Sequence, residues 1–245
     1  MLLALTERLV RAGVRNLDLL FAIVVPILTF AGFTMALRDV IDTGQMSYAQ
    51  YVLPAVVVQA TLFGALNSAD TAASEHSSEF GVRLRTLPIP SHAPLAARLL
   101  YCQVRALIAL IAAIATASAF GFRMGGGLLL GLAFVLLVLT STLALSLCAD
   151  AIGAQAKRSD TSSQLLLIPQ LLLGLLSTGM APVASFPPWV QPVVAYQPIS
   201  QITETLRGFT TGQVVTSNLA MSLSWCFGLA TVFGWLALRS QRTTA

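Results

Sequence analysis

Residues 127–149 read GLLLGLAFVLLVLTSTLALSLCA, a run without a single charged side chain that ends immediately before Asp150. About 20 apolar residues in an α-helix cross a bilayer hydrocarbon core about 30 Å thick. A stretch of this length and composition is too long for a buried strand and too apolar for a solvated helix. We therefore predict that residues 127–149 form a membrane-spanning helix.

Comparable apolar runs fill most of the remaining chain. The sequence is 56% hydrophobic and 10% charged, whereas soluble domains carry about 25% charged residues. The five further runs lie at about 17–37, 48–69, 99–122, 164–180 and 214–238. Pro26 and Pro169 fall inside two of them, which membrane helices tolerate when neighbouring groups satisfy the freed carbonyl. The prediction is an all-α integral membrane protein with six transmembrane helices in a single domain, residues 1–245.

The positive charges alternate between the two ends of these runs. Of the 14 Lys and Arg residues, three would lie on one side of the membrane, namely Arg38, Arg123 and Arg207. The other eleven would lie on the opposite side: Arg8, Arg11, Arg15, Arg83, Arg85, Arg98, Arg105, Lys157, Arg158, Arg239 and Arg242. Short cytoplasmic loops carry an excess of Lys and Arg. We expect a multi-pass protein of the plasma or inner membrane with both termini in the cytoplasm. Because the charges are scattered over span ends, they do not indicate a nucleic-acid partner.

The segment before the first run has an amphipathic pattern. Arg8, Arg11 and Arg15 recur at near-helical spacing, and leucines at positions 2, 5 and 9 lie on another face. This pattern is typical of a short helix that lies in the membrane interface. The arginines would be equally compatible with a role as topology signals alone.

Residues 181–212 are too apolar for a solvated loop and too broken for a span. They contain Pro182, Pro187, Pro188, Pro192 and Pro198. Irregular backbone at membrane depth must be buried in protein or line a wet cavity. We predict a re-entrant or interfacial helical segment on the outer side, with Trp189 and Tyr196 at the level of the lipid headgroups. Glu204 and Arg207 are three residues apart and could pair on such a helix.

The chain lacks the residues of a self-powered pump. A nucleotide-binding P-loop needs Gly-Lys followed by Ser or Thr, but the one lysine, Lys157, stands between Ala156 and Arg158. Ion-coupled carriers usually hold titratable groups in mid-membrane, and the centres of all six runs have none. The energy for transport would therefore come from another protein. The polar cytoplasmic stretch at 70–98 is the natural place to receive it.

Two segments resemble a known family, the ABC-2-type exporter permeases, and most of all its daunorubicin-resistance-like and nodulation-exporter-like members. In the stretch at 70–98, the resemblance rests on an acid and a glycine before a leucine–proline stretch: Glu79-Phe80-Gly81, Leu84-Arg85-Thr86-Leu87-Pro88-Ile89 and Leu95-Ala96-Ala97-Arg98-Leu99-Leu100. In the outer segment the matching residues are Phe186-Pro187-Pro188-Trp189-Val190-Gln191-Pro192, Gln197-Pro198-Ile199-Ser200 and Leu206-Arg207-Gly208-Phe209. The six-span order extends the resemblance to essentially the whole chain.

The resemblance implies a transport subunit rather than an enzyme. It implies a second permease, either another copy or a paralogue, and two separate ATP-binding cassette subunits that hold ATP and Mg²⁺. The permease itself would bind no cofactor and no metal. The cargo would be a lipid, a polysaccharide, a glycolipid or an amphiphilic drug, moved out of the cytoplasm or the inner leaflet.

The same resemblance assigns roles to residues of this chain. The coupling loop that meets the ATPase would include Glu75, Glu79, Gly81, Arg83, Arg85 and Pro88. The family often has an Arg-Glu-rich run before the glycine, whereas this chain has Ser74-Glu75-His76-Ser77-Ser78, so both glutamates stay candidates for the ATPase contact. The outer segment would be shaped by Trp189, Gln197, Pro198, Glu204, Arg207 and Gly208.

Several alternatives stay open at this level. Gln170, Ser177 and Thr178 of the fifth run are candidates for a substrate path, but helix-to-helix hydrogen bonds would explain them equally well. Glu79 and Arg85 could be ordinary solvated loop residues, and Glu204 and Arg207 a local ion pair. The chain as a whole could be a membrane-embedded lipid-modifying enzyme or a secondary carrier independent of ATP. The first would need a nucleophile or metal cluster at a membrane face, and the second an intramembrane titratable pair.

Overall fold

The computed structural model describes residues 2–37, 46–77, 92–154, 159–179 and 181–243. These residues form helices and their connections, and none of them lies in a β-strand. The α-helices are α1 Leu2–Arg15, α2 Asp18–Leu37, α3 Tyr48–Ser77, α4 Ala93–Ala119, α5 Gly127–Gly153, α6 Ser159–Leu175, α7 Gln191–Tyr196, α8 Pro198–Thr211 and α9 Thr216–Thr243. A single 3₁₀ turn within the described ranges, Val183–Ser185, precedes α7.

Helix α3 is the centre of the bundle. It packs against α2, α4, α5, α6 and α8. About two thirds of its most apolar stretch is buried, compared with 11% for α9. Leu53 and Val56 on α3 are both 1% exposed and lie in the main hydrophobic core with Phe30, Phe134 and Leu206. The other four helices that are long and apolar enough to span a membrane therefore expose more of their apolar stretches than α3 does.

Five of the described helices are long and apolar enough to cross a membrane. The apolar stretches are Asp18–Ala36, Tyr48–Glu75, Ala93–Ala119, Gly127–Gly153 and Thr216–Arg239. The sixth predicted span corresponds to α6, which has 17 residues and begins five residues before the predicted start at 164. The protein is thus a multi-pass membrane protein by length and composition, and the sixth crossing stays a prediction.

The two ends of the bundle differ. We call the end that holds α1, Glu75, Arg98 and Asp150 the inner end, after the predicted orientation, and the end that holds α7 and α8 the outer end. At the inner end, α1 packs against α4 and α2, and its three arginines are exposed while Leu2, Leu5 and Leu9 are partly buried. The amphipathic helix that the sequence predicts is present, and its placement in the lipid interface stays a prediction.

Helices extend into the predicted coupling loop from both sides. Helix α3 runs to Ser77, beyond the predicted span end at 69, and α4 begins at Ala93, before the predicted start at 99. Asp70, Glu75 and Arg98 are consequently helical residues. Glu79, Gly81, Arg83, Arg85 and Pro88 lie outside the described residues.

Small residues set the spacing between α3 and α5. Ala65, Ala69 and Ala149 are buried together at the inner end of these two helices. A Cβ atom added to Gly153 would collide with the backbone of Ala69, with Cα only 2.8 Å away. The two backbones can approach this closely only because position 153 has no side chain.

We predict that Gly153→Ala destabilises the folded protein. The added methyl group meets backbone atoms, so the helices must separate, and overpacking of this kind costs about 1–3 kcal/mol. Thermal unfolding in detergent micelles measures the effect. The control is Gly228→Ala on α9, where a Cβ meets nothing within 4 Å and alanine favours the helix. Equal melting temperatures for Gly153→Ala and the parent chain would refute the tight contact.

Candidate functional site

A buried ionic cluster joins three helices at the inner end. Arg98 on α4 donates from Nε to Asp150 Oδ1 at 2.6 Å and from Nη2 to Asp150 Oδ2 at 3.1 Å. Arg98 Nη1 donates to Glu75 Oε2 on α3. The side chains of Arg98 and Asp150 are 3% and 0% exposed. We call Glu75, Arg98 and Asp150 the inner triad.

The inner triad is costly to break. A buried charge that has lost its partner has neither water nor an opposite charge to stabilise it. Removal of one partner of such a pair therefore typically lowers the stability of the folded state by about 3–5 kcal/mol. The two-point contact with Asp150 also fixes the orientation of the guanidinium plane. Arg98 therefore links the inner ends of α3, α4 and α5 through its two carboxylate partners. Of the predicted coupling residues, Glu75 is the one that the structure describes, and it belongs to this cluster.

A second ionic cluster lies deeper along the same helix. Arg105 Nε donates to Asp18 Oδ1 at 3.1 Å and to Oδ2 at 3.2 Å, and Tyr101 Oη also donates to Asp18. Asp18 is the first residue of α2. From the sequence, Arg98 and Arg105 were interpreted as markers of the inner side, whereas in the structure both are buried in ion pairs. Their spacing of seven residues places them on one face of α4, and this spacing could have predicted that both side chains point into the protein.

The three residues predicted to line a substrate path lie in two different environments. Gln170 and Ser177 line a cleft of about 90 Å³ between α3, α6 and α8, together with Gln59 and Thr203. Ser177 Oγ donates to the carbonyl of Gly174 at 2.8 Å, within its own segment. Thr178 does not line this cleft. Its backbone N–H donates to Ser200 Oγ at 3.1 Å, so Thr178 connects the end of α6 to α8.

Arg207 is the centre of the outer end. Its Nε donates to the carbonyl of Tyr51 at 3.1 Å, its Nη2 to the carbonyl of Thr178 at 2.9 Å, and its Nη1 to Glu204 Oε1 at 2.7 Å. The guanidinium also lies 3.8 Å from the ring centroid of Tyr51. The local pair with Glu204 that the sequence predicts is present. The contacts of Arg207 with α3 and with the end of α6 could not be predicted from the spacing of residues in the sequence, because their partners lie far from Arg207 along the chain.

The other outer residues shape the start and end of α8. Gln197 donates from Nε2 to the carbonyls of Leu173 and Leu176, at 3.3 Å and 2.5 Å, and so connects the start of α8 to α6. Pro198 is the first residue of α8, where a missing N–H costs nothing. A Cβ on Gly208 would lie 2.8 Å from the carbonyl oxygen of Gln213. Trp189 is 81% exposed in the turn before α7, and its position at the headgroup level stays a prediction.

We predict that Arg207→Lys destabilises the outer end. Lysine cannot reproduce the planar fork that reaches two carbonyls and stacks on Tyr51, and a buried carbonyl without a partner costs about 1–3 kcal/mol. Thermal unfolding in micelles measures the loss. The matched control is Arg123→Lys, a second arginine at the outer end whose side chain is exposed. Equal losses in the two variants would contradict the role of the fork.

Comparison with known proteins identifies the family. A sequence model described as "ABC-2 family transporter protein" matches residues 33–239. The probable doxorubicin resistance ABC transporter permease protein DrrC of Mycobacterium tuberculosis is 27% identical over 93% of this chain and 83% of its own length. The doxorubicin resistance permease DrrB of the same organism is 31% identical over 78% of this chain and 67% of its own length. The daunorubicin resistance permease DrrB1 of Streptomyces coeruleorubidus is 26% identical over 92% of this chain and 80% of its own length. The family match covers the outer end and, apart from Asp18, both ionic clusters at the inner end. On this evidence the chain belongs to the ABC-2 family of transporter proteins.

Proposed function

We propose that this ABC-2 permease moves an amphiphilic molecule out of the cytoplasm or the inner leaflet, driven by ATP hydrolysis on a separate subunit. The cargo would be a lipid, a glycolipid or an amphiphilic drug. The observation that carries the proposal is the inner triad, which connects both helices that flank the predicted coupling loop to a third span. The names of the relatives, which are resistance permeases for doxorubicin and daunorubicin, favour a drug. They also favour a transport subunit over the lipid-modifying enzyme and the secondary carrier.

The proposed topology has six crossings and both termini in the cytoplasm of a plasma or inner membrane. Helix α6 would complete the crossings, because Ile168, Leu172 and Leu175 on it are 64%, 53% and 60% exposed and apolar. Lipid or a second permease can cover such a face without cost. The charge distribution supports the orientation. The outer helices α7 and α8 would then form the re-entrant segment.

The proposed coupling step begins at the predicted loop. An ATPase dimer that closes on binding ATP, held with Mg²⁺ on its own residues, would push this loop and α1. Because the inner triad holds α3, α4 and α5 together at the loop ends, a displacement of the loop would move the three helices as one unit. Glu79, Gly81, Arg83, Arg85 and Pro88 would form the contact surface, and Glu75 would pass the motion to Arg98.

The cargo path would involve a second permease, either a copy or a paralogue. The outer cleft that holds Gln170 and Ser177 measures about 90 Å³, whereas sites for drug-sized molecules usually measure about 300–1,000 Å³. One chain in this conformation therefore offers only part of a path at that place. The exposed apolar side of α6 adjoins the cleft, so a partner permease there could complete it.

We predict that Glu79→Lys abolishes cargo-stimulated ATP hydrolysis by the assembled transporter. Reversal of the charge would place like charges opposite each other at the ATPase contact, and such contacts cost several kcal/mol. Hydrolysis is measured in proteoliposomes with and without doxorubicin. The control is Asp42→Lys, in the predicted outer loop. Unchanged stimulation in Glu79→Lys, with normal membrane insertion, would remove Glu79 from the coupling contact.

We predict that Glu75→Gln lowers cargo-stimulated hydrolysis several-fold and leaves membrane insertion and basal hydrolysis unchanged. The amide keeps the size of the side chain but loses the charge that attracts Arg98, while Asp150 still satisfies the guanidinium. The same proteoliposome assay measures the effect, with Asp42→Asn as the matched control. Full stimulation in Glu75→Gln would show that the pair between Glu75 and Arg98 plays no part in coupling.

A further inference from the structure

The side of α1 that points away from the bundle carries two kinds of side chain. Leu3 and Val14 are 79% and 61% exposed, and their separation of eleven residues is about three helical turns, so they share one edge of the helix. Arg11 and Arg15 are also exposed and lie about 60–120° around the helix from that edge. We call these four residues the α1 face. It is apolar along one edge and basic along the other.

The opposite side of α1 is fixed against α4. Gly13 is buried, and a Cβ atom at this position would lie only 2.2 Å from Tyr101 Oη. The two helices can therefore approach this closely because position 13 has no side chain. Tyr101 also donates to Asp18 at the start of α2. Contacts within the protein thus set the orientation of α1, and the α1 face points outward without help from a partner.

The turn after α1 has a leucine where the backbone conformation favours glycine. Leu17 has a φ angle of 62°, in the left-handed region where a side chain costs energy, and it is 52% exposed. Leu20 and Phe21, which follow in α2, are 51% and 55% exposed. Exposed apolar side chains gain nothing from water, but they are stabilised among lipid acyl chains. The exposed apolar surface of α1 therefore continues along the chain into a membrane-spanning helix.

The basic edge of the α1 face is accessible to a ligand. Arg15 forms no hydrogen bond or ion pair in the part of the chain that the structure describes. Arg11 pairs with Glu7, but the two side chains are 79% and 59% exposed, and exposed pairs of this kind contribute little to stability. Arg8 lies beside them and has an interaction of its own. Arg11 and Arg15 are therefore the side chains that a ligand can reach.

A membrane surface with anionic lipids fits both edges of the α1 face. Guanidinium groups donate charge-assisted hydrogen bonds to phosphate oxygens, and amphipathic helices with basic polar faces bind anionic membranes in this way. An acidic protein surface would also pair with the arginines. It would not account for Leu3 and Val14 on the adjacent edge, or for the exposed leucine in the strained turn. Headgroups and acyl chains together account for all of these features.

We propose that the α1 face binds anionic phospholipids of the inner leaflet. Arg11 and Arg15 contact the headgroup phosphates, and Leu3 and Val14 lie among the acyl chains. The ligand is a component of the membrane rather than the cargo, so binding occurs whether or not the chain exports an amphiphile. Because Gly13 holds α1 against α4, a bound lipid also fixes α1 relative to the inner ends of the spans.

Fluorescence quenching by labelled lipids tests the proposal on the full chain. A fluorophore is attached at Ala4→Cys, on the exposed side of α1, after replacement of the three native cysteines. The chain is placed in phosphatidylcholine nanodiscs that contain a small fraction of nitroxide-labelled phosphatidylglycerol or of phosphatidylcholine with the same labelled acyl chain. We expect half-maximal quenching at a several-fold lower fraction of phosphatidylglycerol, since each arginine near an anionic headgroup favours binding about fivefold.

Two charge variants of α1 separate lipid binding from a general effect on the helix. Arg11→Gln combined with Arg15→Gln should remove the preference for phosphatidylglycerol. Glu7→Gln, an equally conservative change on the same helix, should raise the preference because it removes the carboxylate that competes for Arg11. Equal quenching by the two lipids in the parent chain, or a loss of preference in Glu7→Gln, would overturn the proposal. Equal quenching together with loss of ATPase binding in the double arginine variant would assign the arginines to a protein contact instead. The quenching assay uses no ATPase, so its result is separate from the export test.

Discussion

The burial of the Arg98 guanidinium between Asp150 and Glu75 is the constraint on which the inner half of this protein depends. A charge with 3% of its side chain exposed is tolerated in a membrane bundle only when its partners surround it. Those partners come from α3 and α5, so the three helices cannot separate at this end without exposing a charge. Glu75 and Arg98 also lie near the two helix ends that flank the predicted coupling loop. A contact that stabilises the fold is thereby also placed where force from an ATPase would enter.

The polar groups form two layers with an apolar region between them. At the outer end, Arg207 connects α8 to α3 and to the end of α6 through backbone carbonyls. Between the layers, hydroxyl groups such as Thr61, Ser141 and Thr142 donate to carbonyls of their own helices and present little polarity to a passing molecule. A cleft of about 280 Å³ between α2, α3 and α4 starts in the inner layer, at Asp18 and Arg105, and ends in the apolar region. This arrangement suits a cargo with one polar end better than an ion.

The sequence predicted where most of the helices lie, but it did not predict which side chains of different helices contact each other. Run length predicted α5 to within a few residues, since residues 127–149 became Gly127–Gly153. The pair of Glu204 and Arg207 was predictable because both lie on one helix. Arg98 and Asp150 are 52 residues apart, and no local pattern says that α4 and α5 bring them together, so Arg98 was interpreted as a topology marker. The length of α3 was underestimated because Asp70 and Glu75 are polar, although both are helical and face protein groups.

The most direct test of this account is the distance between spin labels at His92 and Ala154, at the inner ends of α4 and α5, in a cysteine-free chain assembled with its ATPase. Pulsed electron paramagnetic resonance would measure this distance with and without ATP. If the inner triad holds the helices as one unit, the distance distribution stays the same while labels on the ATPase report closure. Separation of the two labels on ATP binding would contradict the account.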